Sequence, residues 1–438
     1  MRPLNPQTTL LPLALLMGMA ASTALGVVPA ESPYSTPQSP FYGQVRTRTE
    51  YDIKRMADTT LKKAWLNTQL RSRIGFVAVP SPSVELKLEM QDVRFMGSEP
   101  SGANNPASAT VGNRAGVDLL QGYFAVEQGI FKTAIGRQKM SLGAGRFLST
   151  LEWSPTSRSF DGWSGNLTLG DGHLTGLAFL VRDTNTAVKD DRAFLSGLYY
   201  SHSVTPDIVA EGFGFYDQSR LTSAYGGVTA SNYDLQYFGE RVVGKVGVIG
   251  FEEEFIYQGG EAIVAGKDKS SAAFQLATRL GYTSPNYKVM AGLDMMSGDD
   301  DLTDGDMKTY RANYYFAHNL YGWMDYFVAN PQFGVMDIRL DADLGFLPGP
   351  TGNPRVTIKP QFHYFLPQSA PSGMDDAYGQ EFNLEAHIAW FPKSNVVIGA
   401  GLFLPGDNAF RLAAAGLPKA TSTKENGMFL YFMPMFNF

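Results

Sequence analysis

The sequence predicts an all-β fold: a transmembrane, antiparallel up-and-down β-barrel of about 18 strands, with 16 to 18 as the expected range. Three observations support this prediction. Segments with a two-residue hydrophobic period recur beyond residue 41, short and long connections alternate between them, and the chain ends in a strand-like segment that closes on Phe438.

The composition is that of a folded chain without cysteine chemistry. The 438 residues are 44% hydrophobic, 13% aromatic and 18% charged, a balance that argues against disorder. The absence of cysteine excludes disulfides, thiolate metal sites and a cysteine nucleophile. The formal net charge of −6 does not show the basic excess expected of a nucleic-acid-binding protein.

The N-terminal segment is typical of a secretory signal. Residues 10–24 are apolar, follow Arg2 and end in small residues, and the segment is too short to span a membrane as a helix. We expect residues 1–30 to be a signal peptide, cleaved after Ala24 or Ala30. Residues 31–41 would form a short proline-rich periplasmic leader, and 42–438 the barrel.

Alternation of apolar with polar or charged residues defines the individual strands. It is clear in 84–91, 273–282, 336–346 and 381–390, although a soluble β-sandwich would alternate in the same way. Strands are predicted near 42–51, 62–77, 84–95, 117–127, 130–138, 161–169, 172–183, 193–203, 207–217, 230–241, 245–257, 272–283, 287–296, 332–346, 354–366, 380–391, 395–404 and 427–438.

The connections between these strands alternate in length. Every second one is a short turn, and these lie at 80–83, 128–129, 170–171, 204–206, 242–244, 284–286, 348–353 and 392–394. The others include long loops at 96–116, 139–160, 297–331 and 405–426. Short turns at one end and long loops at the other are typical of outer-membrane barrels, with the short turns in the periplasm.

The last segment supports the same prediction. Its residues Met428, Leu430, Phe432, Pro434, Phe436 and Phe438 keep a two-residue period. It resembles the terminal strand of bacterial outer-membrane barrels, which implies recognition of Phe438 by the barrel-assembly machinery and a place in a Gram-negative outer membrane. A barrel must close in lipid because an open sheet edge would leave backbone groups without hydrogen bonds. About 18 strands enclose an aqueous lumen.

Two stretches resemble a known family. The first contains Gly136-Arg137-Gln138, Gly143, Gly145, Arg146, Leu151-Glu152-Trp153-Ser154 and Arg158-Ser159-Phe160-Asp161-Gly162. The second contains the acidic run Gly298 to Asp306, then Thr309-Tyr310, His318, Tyr321-Gly322-Trp323-Met324-Asp325 and Asn330. Both resemble the alginate export family of outer-membrane barrels. This resemblance implies an 18-stranded barrel with a polar conduit, lined by ion pairs, for a polysaccharide or its fragments.

The resemblance also implies that arginines select the solute, because guanidinium groups bind carboxylates bidentately. The candidates from the similar stretch are Arg137, Arg146 and Arg158, with Asp161 holding one of them by an ion pair. The alternative is that Arg158 and Asp161 only brace a loop. The barrel wall adds Arg46, Arg48, Arg71, Arg73 and Arg279.

Acidic residues on the expected inward faces argue against a purely anion-selective pore. They are Glu85, Glu89, Asp294, Asp337, Asp341, Asp343, Glu381 and Glu385. Asp299, Asp301 and Asp304 could hold calcium, although the run does not fit a calcium-binding loop and a solvated loop is favoured. The same loop is rich in aromatic residues, which could form an interfacial girdle, pack an inward-folded loop or stack on sugars. The site candidates in this loop are Tyr321, Trp323 and the neighbouring acid Asp325.

The sequence therefore predicts a channel for passive passage of anionic or mixed saccharides. Its expected partners are outer-membrane lipid and the solute, and a periplasmic export partner is compatible with this function. No cofactor and no nucleic acid are expected. Three alternatives stay open: a general small-solute porin, a secreted soluble β protein, and an outer-membrane enzyme. Only His202, between Ser201 and Ser203, is reminiscent of a serine hydrolase.

Overall fold

The computed structural model describes most of the predicted barrel. The described residues are 40–53, 65–96, 117–183, 192–220, 230–264, 266–301, 303–311, 313–349, 354–373, 376–407 and 426–438. The predicted signal peptide, most of the leader and most of the predicted loops 96–116 and 405–426 lie outside these residues.

Eighteen long strands close into one barrel, as predicted. They are β1 (Phe41–Asp52), β2 (Trp65–Ser81), β3 (Val84–Phe95), β4 (Val117–Gln128), β5 (Phe131–Gln138), β6 (Phe160–Leu169), β7 (Gly172–Asp183), β8 (Arg192–Thr205), β9 (Ile208–Ser219), β10 (Ala230–Val246), β11 (Ile249–Val264), β12 (Lys267–Thr283), β13 (Tyr287–Met296), β15 (Val335–Pro348), β16 (Pro354–Leu366), β17 (Gly379–Phe391), β18 (Ser394–Pro405) and β19 (Gly427–Asn437). Each pairs antiparallel with its neighbours, and β1 pairs with β19 to close the sheet.

Two small elements lie in the connection between β13 and β15. The two-residue strand β14 (Asp306–Met307) pairs in parallel with β12, and the helix α1 (Ala317–Leu320) is a single turn. Among the described residues, no helix combines the length and apolar character needed to cross a membrane.

The predicted alternation places apolar residues on the outer surface and polar residues in the lumen. On β3, Leu86, Leu88 and Met90 are 43%, 53% and 44% exposed, whereas Glu89 and Gln91 between and beyond them are buried. Buried here means covered by other lumen residues, because these side chains point into the barrel. The outer surface is therefore the one that lipid would cover.

The connections alternate in length with two corrections. The predicted turn at 242–244 is wrong: those residues lie within β10, and the chain turns at Gly247, whose φ of +61° favours glycine. The predicted loop between 257 and 272 is also wrong, because β11 continues to Val264 and β12 begins at Lys267. The polar and glycine residues there favour a loop, but the backbone hydrogen-bond ladder between β11 and β12 continues through them.

The chain terminus completes the closure. Phe438 and Gly43 exchange two backbone hydrogen bonds, of 3.0 and 3.1 Å, at the end of the barrel that carries the short turns. We call this the turn end and the opposite end the loop end. The C-terminal segment is thus a wall strand whose pairing with β1 seals the sheet.

Candidate functional site

Two long connections fold into the lumen and contact each other there. They are the β5–β6 loop (139–159) and the β13–β15 loop (297–334). Leu148 forms an isolated parallel bridge with Tyr314, the Ser149 amide donates to the Tyr314 carbonyl at 3.0 Å, and Phe316 donates to Gly145 at 2.9 Å. These backbone contacts join the two loops into one unit inside the barrel.

Aromatic side chains of both loops pack against inward residues of the wall. Phe147 stacks on Phe215 of β9 at 4.5 Å between ring centroids, and Phe327 lies 4.3 Å from Phe365 of β16. Of the predicted site aromatics, Tyr321 is 1% and Trp323 4% exposed. For these residues the structure excludes an interfacial girdle and supports the packing of an inward-folded loop.

Four of the predicted wall arginines form one cluster beneath the β5–β6 loop. Arg46, Arg48, Arg71 and Arg73 of β1 and β2 all face the lumen, and we call them the arginine cluster. Arg46 donates to the carbonyls of Glu152 (2.7 Å) and Ser154 (3.1 Å), and Arg71 donates to that of Glu152 (3.0 Å). The cluster residues are 3–6% exposed because the loop covers them.

The Glu152 carboxylate is the ionic centre of this contact. Its oxygens lie 3.0 Å from Arg73, 3.2 Å from Arg71 and 3.1 Å from Lys139, while Arg48 pairs with Glu50 at 2.7 Å. Burial alone would raise the pKa of Glu152, but Arg73, Arg71 and Lys139 hold it well below its usual range. Five cations thus directly contact two carboxylates, with Glu89 acting on Arg71 and Asp325 on Arg48 at longer range, and positive charge is in excess.

The lowered pKa of Glu152 predicts how the loop responds to acid. Its stabilising contribution is complete above the ordinary carboxyl pKa, about 4.3, and is lost only as the pH falls through the lower folded-state value. We expect wild type and a Glu152→Gln variant to differ in gating by the same amount at pH 7 and pH 5, and this difference to shrink only in stronger acid. Single-channel recording of both proteins across this range checks the prediction, and a difference that disappears near pH 6 would contradict it.

Arg146 is the ionic centre on the other side of the lumen. It is 0% exposed and lies 3.1 Å from Asp294 of β13 and 3.2 Å from Glu254 of β11. Burial lowers the pKa of Arg146, but the facing carboxylates of Asp294, Glu254 and Glu252 outweigh it and raise that pKa above its usual value. The loop arginine therefore stays charged and ties the β5–β6 loop to the wall.

Further wall charges extend this network around the lumen. Asp294 also binds Arg279 at 2.6 Å and Arg339 at 3.3 Å. The remaining pairs are Arg241 with Glu211 at 2.8 Å, Arg339 with Asp341 at 2.6 Å, and His363 with Asp337 at 2.8 Å. Of the predicted inward acids, Asp294, Asp337 and Asp341 are thus engaged with basic side chains, and this sector carries mixed charge.

Several residues of the site were missing from the sequence-based candidates. Arg241 and Arg339 share inward faces with residues that the alternation had already identified, so the two-residue period could have found them. Lys139 and Glu152 lie in a loop, where no period applies. Their roles depend on contacts with strands far away in sequence.

Arg137 and Asp161 lie on the outer surface. Arg137 shares a face of β5 with Ile135, which is 48% exposed, whereas the next residue, Gln138, is buried in the lumen. Arg137 binds Asp161 of β6 bidentately, at 2.7 Å for both contacts. The structure therefore removes this pair from the predicted pore-lining residues and places it near the loop end of the wall.

Arg158 braces the two loops. It donates to the carbonyl of Ser149 at 3.0 Å and to that of Tyr314. Nearby, Trp153 stacks on His318 at 3.8 Å, and His318 lies 3.1 Å from the third loop candidate, Asp325. The geometry of Arg158 corresponds to the bracing alternative left open by the sequence.

The acidic run makes contacts within its own loop. Asp304 pairs with Lys308 at 2.9 Å, Asp301 accepts from Thr303 at 2.8 Å, and Asp299 accepts from the Asp301 amide at 3.1 Å. Within the described ranges, no group of three or more His, Asp or Glu residues is arranged to hold a metal ion.

The hydrolase-like residues do not converge. His202 lies on the outward face of β8 with Tyr200 and Val204, which are 38% and 55% exposed. Side chains alternate along a strand, so Ser201 and Ser203 point to the opposite side. The arrangement does not place a serine next to this imidazole.

Comparisons with known proteins agree with this architecture. Acinetobacter baumannii OccAB1 matches with a TM-score of 0.60 and 12% identity, over 93% of this chain and 99% of that one. A BenF-like porin from Pseudomonas fluorescens Pf-5 matches with a TM-score of 0.61 and 10% identity, over 92% and 98%. Pseudomonas aeruginosa OpdK, solved with vanillate, gives 0.58 and 11%, over 91% and 98%.

At these identities the solved structures show a shared fold: the large outer-membrane porin barrel. A search of curated proteins finds no match. The family model described as alginate export matches residues 39–331, about two thirds of the chain, including both stretches that suggested the resemblance. The chain therefore belongs to the alginate export family of outer-membrane barrels.

Proposed function

We propose that the barrel is a passive outer-membrane channel for saccharides that carry carboxylates. The observation that supports this most is the excess of positive charge where the β5–β6 loop meets β1 and β2. Guanidinium groups bind carboxylates strongly, and Arg71 and Arg73 already share the Oε2 atom of Glu152, with one contact from each arginine. A uronate is a carboxylate of the same chemistry.

Glu152 is the group that such a solute would replace. Its side chain is 35% exposed, whereas those of Arg71, Arg73 and Lys139 are 1–4% exposed. A passing carboxylate reaches the cations by displacing this one acid, so that one ion pair is exchanged for another. Exchange of this kind permits binding without a large free-energy well, which passage through a channel requires.

Single-channel recording in a planar bilayer tests the proposal. The purified barrel is recorded under a salt gradient and titrated with oligouronates and, as the matched control, with neutral oligosaccharides of the same length. We expect a reversal potential on the anion-selective side and block by the uronates alone. A steady conductance that none of the added sugars changes would instead favour a general small-solute porin.

A Glu152→Gln variant makes the test specific to this site. The amide keeps the shape of the side chain but leaves Arg71, Arg73 and Lys139 without their shared carboxylate. We expect stronger anion selectivity and a block by oligouronates roughly 10-fold tighter, about 1.4 kcal/mol. Heat-modifiable gel mobility verifies that the variant is folded, and an unchanged block in a folded variant would contradict the proposed exchange.

A general porin is the second candidate, and the mixed charge around Arg146 and Asp294 favours it. Alternating cations and carboxylates in that sector accommodate both signs of solute charge. The fold is shared with OpdK, whose structure was solved with vanillate, so a small carboxylate is a suitable competitor in the same recordings. Block by vanillate equal to block by uronates would favour this second function.

A further inference from the structure

Ionisable side chains occur on the outward apolar surface of β8, β10 and β11, on the turn-end side of these strands. On β8, His202 lies between the exposed outward residues Tyr200 and Val204. On β10, Glu240 follows Phe238, which is 57% exposed, and on β11 Glu253 precedes Phe255, which is 37% exposed. Because side chains alternate, both glutamates share the outward face with these aromatic residues.

This placement differs from that of the other outward charges. In the described part of the wall, those lie within five residues of the loop ends of their strands, as Arg94, Arg137 and Asp234 do. Glu240 lies six residues before the turn-end limit of β10 and ten after its other limit, so it stands well inside the wall. Hydrocarbon offers no hydrogen bonds, and ionisable groups within it are costly and mark functional surfaces.

The two glutamates have no cation beside them on their own barrel. Neither makes a hydrogen bond or an ion pair with another described residue. Glu253 pairs across the sheet with Val242 and Thr278, Glu240 pairs with Phe255 and Gly212, and the two carboxylates repel each other. His202 likewise makes no hydrogen bond with a described residue; its Nδ1 atom is buried in its own barrel, so Nε2 is the ring nitrogen that a partner can reach. A complementary surface would satisfy both.

Strand β9, which lies between β8 and β10, has only small residues at the centre of its outward face. The outward residues at the centre of β9 are Ala210, Gly212 and Gly214, and a Cβ added at Gly212 would meet nothing within 4 Å. The pairing register runs from His202 to Ala210, to Val242 and to Glu253. The imidazole and the carboxylate thus lie three strand spacings apart, about 14 Å, on either side of a shallow strip.

We propose that a second copy of this chain covers the outward face of β8–β11, forming a dimer about a two-fold axis that passes beside Gly212. Both copies enter the membrane in the same orientation, so the axis must lie along the membrane normal. Rotation about it places β8 of each copy against β10 and β11 of the other. The surface is self-complementary, because the imidazole of one copy then faces the carboxylates of its partner.

His202 and Glu253 lie at similar distances along their strands from the turn end. His202 lies three residues before β8 ends at Thr205, and Glu253 lies four residues after β11 begins at Ile249, both measured from the turn end. A rotation about the membrane normal keeps heights unchanged. The acid and the imidazole therefore meet at a similar level, with the small side chains of β9 allowing close approach.

Disulfide trapping tests the dimer directly, because the chain contains no cysteine. Gly212→Cys places a thiol next to the axis, where it would face Cys at the same position of the second copy. The open space beside Gly212 accepts the side chain. Ala400→Cys is the matched control, an outward residue between Ile398 and Leu402 on the far side of the barrel. After mild oxidation in intact outer membranes, we expect a band of twice the monomer mass for Gly212→Cys only.

The charges provide a second, independent measurement. Glu240→Gln combined with His202→Phe removes the proposed contact without touching the lumen, and we expect the cross-linked fraction of Gly212→Cys to fall at least fivefold. The proposal is overturned if Gly212→Cys stays monomeric, if both cysteine variants cross-link equally, or if the product has the mass of a different partner. An unchanged cross-linked fraction in the charge variant would overturn the assigned contacts.

Discussion

Replacing Arg146 with alanine is expected to lower stability more than any other single change described here. Arg146 is fully buried and holds Asp294 and Glu254, two carboxylates that are 0% and 4% exposed at their side chains. Removing one partner of a buried ion pair typically costs about 3–5 kcal/mol. Because Asp294 keeps Arg279 and Arg339, and Glu254 keeps Arg241, we expect the lower end of this range. Thermal unfolding in detergent, followed by the loss of heat-modifiable mobility, measures the effect.

The same substitution is expected to enlarge the open channel. Without Arg146, the β5–β6 loop loses its ionic attachment to β11 and β13, and single-channel conductance should rise and become noisier. Arg137→Ala is the matched control, since it removes an arginine from the same segment but from a half-exposed pair on the outer surface, where about 0–1 kcal/mol is expected. Equal melting temperatures of the two variants would refute the assigned role of Arg146.

The double variant Arg71→Ala, Arg73→Ala is expected to reduce anion selectivity strongly. These residues supply two of the three cations on Glu152, and a charge-assisted contact contributes about 1.5–3 kcal/mol. Oligouronate block should weaken roughly 10- to 100-fold, and the reversal potential should move toward the cation side. Planar-bilayer recording under a salt gradient gives both quantities.

A lysine elsewhere in the lumen provides the comparison for that double variant. Lys359 of β16 faces inward and pairs with Asp343 at 3.3 Å, away from the arginine cluster. Lys359→Ala should leave the block by oligouronates unchanged. If Lys359→Ala and the double variant shift selectivity equally, overall lumen charge rather than the arginine cluster selects the solute.

The strands of the barrel wall and the direction in which their side chains face could be predicted from the sequence, because one local rule determines both. In a strand that faces lipid on one side and water on the other, every second residue must change character, and Leu86, Leu88 and Met90 follow this rule without reference to any distant residue. The same rule identified the inward arginines of β1 and β2. It also explains Arg137, whose face is that of Ile135.

The contacts inside the barrel could not be predicted in this way. Arg146 meets Asp294 across 148 positions of sequence, and Arg46 meets the carbonyl of Glu152 across 106. No local period signals that two loops will enter the lumen and join at Leu148 and Tyr314. The family resemblance pointed to the right segments, but only the packed structure distinguishes the pore side of Arg146 from the lipid side of Arg137.

The position of the arginine cluster also bears on the order of assembly. Arg46 and Arg71 are direct cross-strand partners, and like charges placed opposite each other destabilise a hairpin. Glu152, which offsets this repulsion, belongs to a loop that follows β5 and is fixed partly by β11 and β13. The first hairpin therefore gains this compensating charge only when the β5–β6 loop lies in the lumen, held there by strands that follow it in the chain.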